Sequence, residues 1–220
     1  MKNSIIFTAM PGGWKSTIWK QLHKELSEFF NIDFKDFDDD ILEKITKEEA
    51  EEIIWLLKLK SLWITPEKLA NQTVANILKI LWDNNFLELE GIIWKNLTFQ
   101  KPTILSTSGS LPLKEEAIKN LKKQGKIIYI NTPIEIIEKR LELMKVDRIV
   151  GMSSWKTLKE ILEYRKKFYE KSYDYKFTPN TDNHIETTDK QIIKKQQNQI
   201  FQQFIDFFKN KINAKIVLWA

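Results

Sequence analysis

The chain contains no cysteine, two histidines, six glycines and three arginines among its 220 residues. The absence of cysteine excludes disulfides and thiolate redox or metal chemistry, and it is compatible with a cytoplasmic location. His23 and His184 stand in surface-like contexts, so no imidazole-based catalytic or metal cluster is expected. No apolar run approaches the ~18–20 residues of a membrane span, and the first residues carry no signal-peptide pattern; no membrane partner is expected. Net charge is +5, yet the lysines are interspersed with glutamates along helical stretches. That is the pattern of a solvated face rather than a nucleic-acid stripe. With 42% hydrophobic residues, residues 1–220 read as a single domain with a full core, expected to be monomeric and to act on a small molecule.

The scarcity of arginine is informative. Only three of the 35 basic residues are arginine, and Arg140, Arg148 and Arg165 fall within 26 residues of one another. A chain this committed to lysine keeps arginine where a planar, bidentate fork is needed, which points to a phosphate or carboxylate clamp. The plainer alternative is chance placement on a helical surface.

What is present organises around residues 5–22. An apolar run from Ile5 ends in Ala9-Met10-Pro11-Gly12-Gly13-Trp14, followed by Lys15-Ser16-Thr17 and a helical pattern to Leu22. This is the grammar of a P-loop, whose backbone N–H groups cradle phosphates at a helix N-terminus. Lys15 would reach the terminal phosphates and Ser16 would hold Mg²⁺. Trp14 stands where the motif's last glycine belongs, at a point where backbone must approach phosphate closely.

The glycine shortage bears on that misfit. Eight tryptophans and six glycines together come near the ~15 glycines that ordinary usage gives 220 residues. Trp82, before Asp83-Asn84-Asn85, occupies a natural helix-ending glycine position, and Trp63 stands in another helix-end context. Trp94 and Trp155 each precede lysine in polar surroundings. Some or all of these tryptophans are therefore read as UGA codons that the source organism decodes as glycine; the alternative is a Trp-rich protein with a degenerate loop.

Further along, Asn31–Lys35 reads as a second strand that delivers Asp36 and Asp38 to its carboxyl end, where open α/β sheets bind ligands. Alternation along an extended segment would put both carboxylates on one side, available to Mg²⁺ and to a substrate hydroxyl. Asp39 and Asp40 read as an acidic helix start. Residues 41–97 are helical in pattern, and residues 39–100 read as a helical substrate-binding subdomain. Thr103–Thr107 is a strand followed by the small residues Ser108, Gly109 and Ser110, and residues 114–124 form a helix closed by Gly125. Residues 126–131 form a buried strand, 134–144 a helix carrying Arg140, and 146–157 a mobile lid with Arg148. Residues 157–172 form a helix carrying Arg165 and Tyr169, 175–177 and 184–186 are short extended pieces, and 189–210 a closing helix.

With these residues placed, the chain resembles the shikimate kinases among small-molecule P-loop kinases. Five pieces match in order: the loop ending Lys15-Ser16-Thr17, Asp36-x-Asp38, Ser106 through Ser110, the Arg148 loop, and Arg165-x-x-x-Tyr169. The family's Lys-Ser-Thr-x-Gly would put glycine at position 19, so Trp19 is a second motif glycine written as tryptophan. The resemblance implies a three-layer α/β fold with a parallel five-stranded sheet of order 2-3-1-4-5, a helical cap and a lid. It implies ATP and Mg²⁺ as cofactors. Pro11, Gly12, Gly13, Trp14, Lys15, Ser16 and Thr17, with Arg140 near adenine and Arg148 as lid arginine, would bind ATP. Ser16 and Asp36 would serve the metal. Asp38, Ser108, Gly109, Ser110 and Arg165 would bind the acceptor, and Lys15, Asp38 and Arg148 would carry catalysis, with Asp38 as base.

The implied reaction is phosphorylation of a small-molecule hydroxyl, shikimate first, with a nucleotide or sugar-acid kinase, or a non-catalytic nucleotide fold if Trp14 is real, as alternatives. The chain departs from the family at Ser108 and Ser110, where glycines are usual, at Lys167, where proline is usual, and in the cap, which is longer and lacks the family's second substrate-binding arginine. Lys58, Lys60 or Lys68 would replace that arginine only as a point charge.

Overall fold

Strand β1 (Ser4–Ala9) is buried at all six positions, the environment of a central parallel strand covered on both faces. The computed structural model describes residues 4–28, 31–59, 64–144, 149–150, 156–182, 184–185 and 187–211. In it β1 pairs in parallel with β3 (Thr103–Ser106) on one side and β4 (Gly125–Ile130) on the other. Strand β2 (Asp33–Asp36) lies outside β3, and β5 (Tyr175–Phe177) outside β4, giving the order 2-3-1-4-5 with every pair parallel. Gly125 opens β4 instead of closing the preceding helix; a Cβ there would sit 2.2 Å from the Ser4 carbonyl oxygen, so only glycine permits that approach.

Helices cover both faces, as parallel strands require. On one face, Ile18, Trp19 and Leu22 of α1 (Lys15–Leu26) and Ile200 and Phe204 of the closing helix form a core with Phe7, Ile128 and Phe177. On the other, Ile6, Leu105 and Ile127 pack against the region between β2 and β3. That region holds α2 (Lys47–Leu56), started by a capping box between Thr46 and Glu49, then α3 (Pro66–Leu69) and α4 (Val74–Asn96). Among its described residues there is no strand, as the periodicity predicts. After β3 come α5 (Glu115–Lys122), α6 (Ile134–Leu143), α7 (Leu158–Ser172) and, past β5, α8 (Lys190–Lys211).

Two further expectations are corrected. Asp36 and Asp38 do not share one face of an extended segment: β2 ends at Asp36, and Asp38 opens a π-helical turn, Asp38–Leu42. The Asp36 carboxylate accepts the N–H groups of Asp38 and Asp39, so it caps that turn. Trp82, as expected, stands where a helix ends: its non-helical φ 60° and ψ 166° make a kink within α4 between one helical segment and the next. His184 and Ile185 belong to no strand, and His184 is half-buried against Trp14. Trp63, Trp155 and, from the lid, Arg148 lie outside the described residues; only Ile149, Val150, Lys156 and Thr157 of residues 146–157 are within them.

Candidate active site

The chain leaves β1 at Ala9, turns through Pro11–Trp14, and enters α1 at Lys15. The turn demands glycine twice: Gly12 has φ 75°, and a Cβ on Gly13 would lie 2.8 Å from the Met10 carbonyl oxygen that its own N–H bonds. Trp14 also adopts a left-handed conformation, φ 67° and ψ 1°, which costs a non-glycine residue about 1–2 kcal/mol. Its ring is buried beneath the Arg140 guanidinium, 3.4 Å from the ring centroid, and edge-on to His184 at 5.2 Å, and all three residues line the loop cavity. Its Nε1–H has no partner among the described residues.

Trp19 is accommodated as well. It is buried against Phe34, and its Nε1–H donates to the Ile104 carbonyl at 3.2 Å.

Lys15 is half-buried, and its Nζ donates to the Ser106 hydroxyl at 2.6 Å. Burial lowers its pKa, opposed by the charges of Asp36 and Asp38. The loop from Ala9 to Thr17 lines a cavity of about 530 Å³, whose wall also includes Arg140 and His184. Pro11, Gly12, Gly13, Trp14, Lys15, Ser16, Thr17 and Arg140 are therefore gathered around one space. Ser16, exposed at the start of α1, and Asp36 are hard oxygen donors suited to Mg²⁺. No group of three or more His, Cys, Asp or Glu among the described residues could hold a metal. A cation there would complete its shell with phosphate oxygens and water, which is the habit of Mg²⁺.

Asp38 is held by the π-helical turn. Burial, with Lys15 opposing, raises its carboxyl to about 6. Opposite it the chain leaves β3 through Ser108, Gly109 and Ser110, and a Cβ on Gly109 would press on the Pro11 ring at 3.0 Å. Arg165 of α7, 2% exposed, donates Nη1–H to the Gly109 carbonyl at 3.2 Å and Nη2–H to the Val150 carbonyl at 2.6 Å. The Tyr169 hydroxyl, one turn on, lies 2.8 Å from the Ala9 carbonyl and 2.7 Å from that of Gly109. One helix thereby clamps the phosphate loop to the β3 loop.

These groups bound a second cavity of about 210 Å³, walled by Asp38, Glu43, Glu90, Ser110, Val150 and Arg165 among others. The two cavities share Pro11, Asp38 and Gly109. Sequence reasoning missed Glu90, which is buried and accepts a hydrogen bond from the Ser110 hydroxyl. Burial raises it to about 7. The available signal was its spacing: Glu90 lies four residues after the buried Phe86, on the apolar face of α4. Lys58 and Lys68 are absent from the wall of this cavity, and Lys60 lies outside the described residues, so no lysine replaces the family's second arginine among the described residues.

Residues 64–209 match the shikimate kinase family. The chain belongs to that family. Among relatives of this shikimate kinase family chain, threonine synthase-like 1 of Homo sapiens is 32% identical over 171 residues, 78% of this chain and 19% of that protein. The chain thus spans about a fifth of the length of those relatives. A shikimate kinase of Clostridium botulinum is 27% identical over 172 residues, covering 77% of this chain and 84% of that enzyme. The crystal structure of shikimate kinase from Bacteroides thetaiotaomicron has the same fold, with a TM-score of 0.57 at 18% identity over 94% of this chain and 98% of that one. The family match begins after the phosphate loop and after Asp38. None of the described helices is long and apolar enough to cross a membrane.

Proposed function

We propose that this chain transfers the γ-phosphoryl group of ATP to a hydroxyl of a small molecule. The observation that carries the reading is the wall that the two cavities share, to which Pro11, Asp38 and Gly109 all contribute, with the charge of Lys15 acting on Asp38. A nucleotide in the loop cavity would present its terminal phosphate to an acceptor in the smaller one. Asp38 takes the hydroxyl proton, the acceptor oxygen bonds to the γ-phosphorus, and the bond from that phosphorus to the β–γ bridging oxygen breaks, releasing ADP. Lys15 and the loop N–H groups neutralise charge on the phosphate oxygens, and positioning supplies most of the remaining catalysis. Ser16 and Asp36 would hold Mg²⁺, which adds positive charge at the phosphates when bound. Arg148 and lid closure over residues 146–157 belong to the reading through the family pattern alone, and Arg140 through that pattern and its place in the loop cavity.

Shikimate, as the acceptor of the family, is the first candidate. Gly109 and Arg165 line the acceptor cavity together with Asp38, which supports a hydroxylated carboxylic acid as substrate class. The reading also includes glycine at positions 14 and 82 of the natively translated protein, supported by their left-handed or glycine-only backbone. A second reading, a non-catalytic nucleotide fold, is favoured for the protein carrying tryptophan at 14, because its indole covers the Arg140 face that the family pattern gives to the base. ADP release coupled to NADH oxidation, with MgATP and shikimate, tests the transfer on Trp14→Gly beside the chain as written. Failure of both to release ADP with shikimate and a panel of small alcohols would overturn the kinase reading. Peptide mass spectrometry of native protein over residues 11–20 tests the decoding; a tryptophan-containing peptide refutes it.

A further inference from the structure

We propose that the acceptor is a hydroxy-amino acid, its carboxylate facing Arg165, its ammonium facing Glu90 and its hydroxyl facing Asp38. The direction of the hydroxyl rests on the phosphotransferase reading; the charge argument does not. Four carboxyl groups, Asp38, Asp39, Glu43 and Glu90, wall the acceptor cavity against one guanidinium, Arg165. A simple hydroxy acid would add a further negative charge to that set, whereas a zwitterion adds none.

Glu90 makes the argument specific. It is 1% exposed; one carboxylate oxygen takes the Ser110 hydroxyl, the Ser108 hydroxyl also interacts with the group, and Oε1 has no hydrogen bond of good geometry among the described residues. A buried carboxylate oxygen left without a donor is costly, and a ligand that supplies one recovers the difference. An ammonium offers three donors and the missing charge together.

Arg165 cannot take over the compensation. Two of its five donors are bound to the Gly109 and Val150 carbonyls, and no second arginine lines the cavity among the described residues. Burial raises the Glu90 carboxyl against the hydrogen bonds that the serine hydroxyls give it, and an arriving ammonium would favour its ionised form. The volume, about 210 Å³, is below the ~300–1,000 Å³ of drug-sized sites and suits a molecule of amino-acid size.

The test is calorimetric titration of the full chain, without nucleotide, using two matched pairs: L-serine with 3-hydroxypropionate, and L-homoserine with 4-hydroxybutyrate. At least one amino acid is expected to bind tenfold or more tightly than its deaminated counterpart, and Glu90→Gln to abolish that preference. Equal affinity within both pairs, no measurable binding of either amino acid, or a preference that survives Glu90→Gln would overturn the inference. The wild-type comparison stands even if the variant does not fold. ADP release with MgATP separates this from the underlying reading. Turnover of shikimate without amino-acid preference sinks the inference and keeps the kinase; amino-acid preference without ADP release from any alcohol does the reverse.

Discussion

Trp82 is 74% exposed and sits at φ 60° and ψ 166°, a region that is essentially reserved for glycine and costs other residues about 1–3 kcal/mol. Trp82→Gly removes that strain and almost no packing. It is therefore expected to raise the melting temperature by several degrees, at about 2–4 °C per kcal/mol for a chain of this size. An unchanged or lower melting temperature would refute glycine at this position. Trp94 behaves oppositely: it is fully buried and stacked on Phe37 at 3.8 Å. Trp94→Gly is expected to lose about 3–5 kcal/mol, as large core truncations do. The backbone thus separates tryptophans that composition alone lumps together. At position 14, replacement by glycine is expected to tighten ATP binding tenfold or more by clearing the Arg140 face. Equal weak affinity of both forms, measured by fluorescence titration, supports the non-catalytic reading. Lys15→Ala is expected to lower kcat by ~10²-fold or more, as removal of one charge-stabilising donor does; near-normal turnover contradicts its role.

At the scale of elements, the site is built from strand ends and the turns that follow them. Asp38 has its place because Asp36, the last residue of β2, caps the π-helical turn that Asp38 opens. The simple alternation of a strand does not describe this pair, since the cap competes with extended backbone. Asp38 must be unprotonated to accept the hydroxyl proton, so with its carboxyl raised to about 6, kcat/KM is expected to fall as pH drops below that value. A pH–rate profile flat down to pH 5 would remove Asp38 as base. The motif residues before α1 were legible because a P-loop is local grammar. The clamp made by α7 was legible only as spacing: Tyr169 is far in sequence from both Ala9 and Gly109, whose carbonyls its hydroxyl meets.

Across the whole molecule, buried acid links stability to pH. The native carboxyls of Asp38 and Glu90 stand at about 6 and about 7, above their ordinary values of 3.8 and 4.5. Between roughly pH 4 and 7 the native state therefore holds more protons than the unfolded chain, and stability falls as pH rises through that window. Glu90→Gln removes the larger share. It is expected to raise the unfolding free energy from urea titration at pH 8, by an amount on the order of 3 kcal/mol, and to leave it nearly unchanged at pH 4. A shift of the same size at both pH values would contradict a buried, titrating Glu90. The amino-acid sequence by itself determined the alternation of strands and helices, the phosphate loop and its faulty glycine, because apolar runs, glycine turns and a lysine at a helix start act over a few residues. Only the tertiary structure decided that Glu90 from α4, Ser110 from the β3 loop and Arg165 from α7 converge on one small acidic cavity. Burial, and the charge balance it imposes, arises from packing segments far apart in the chain, and no local pattern encodes it.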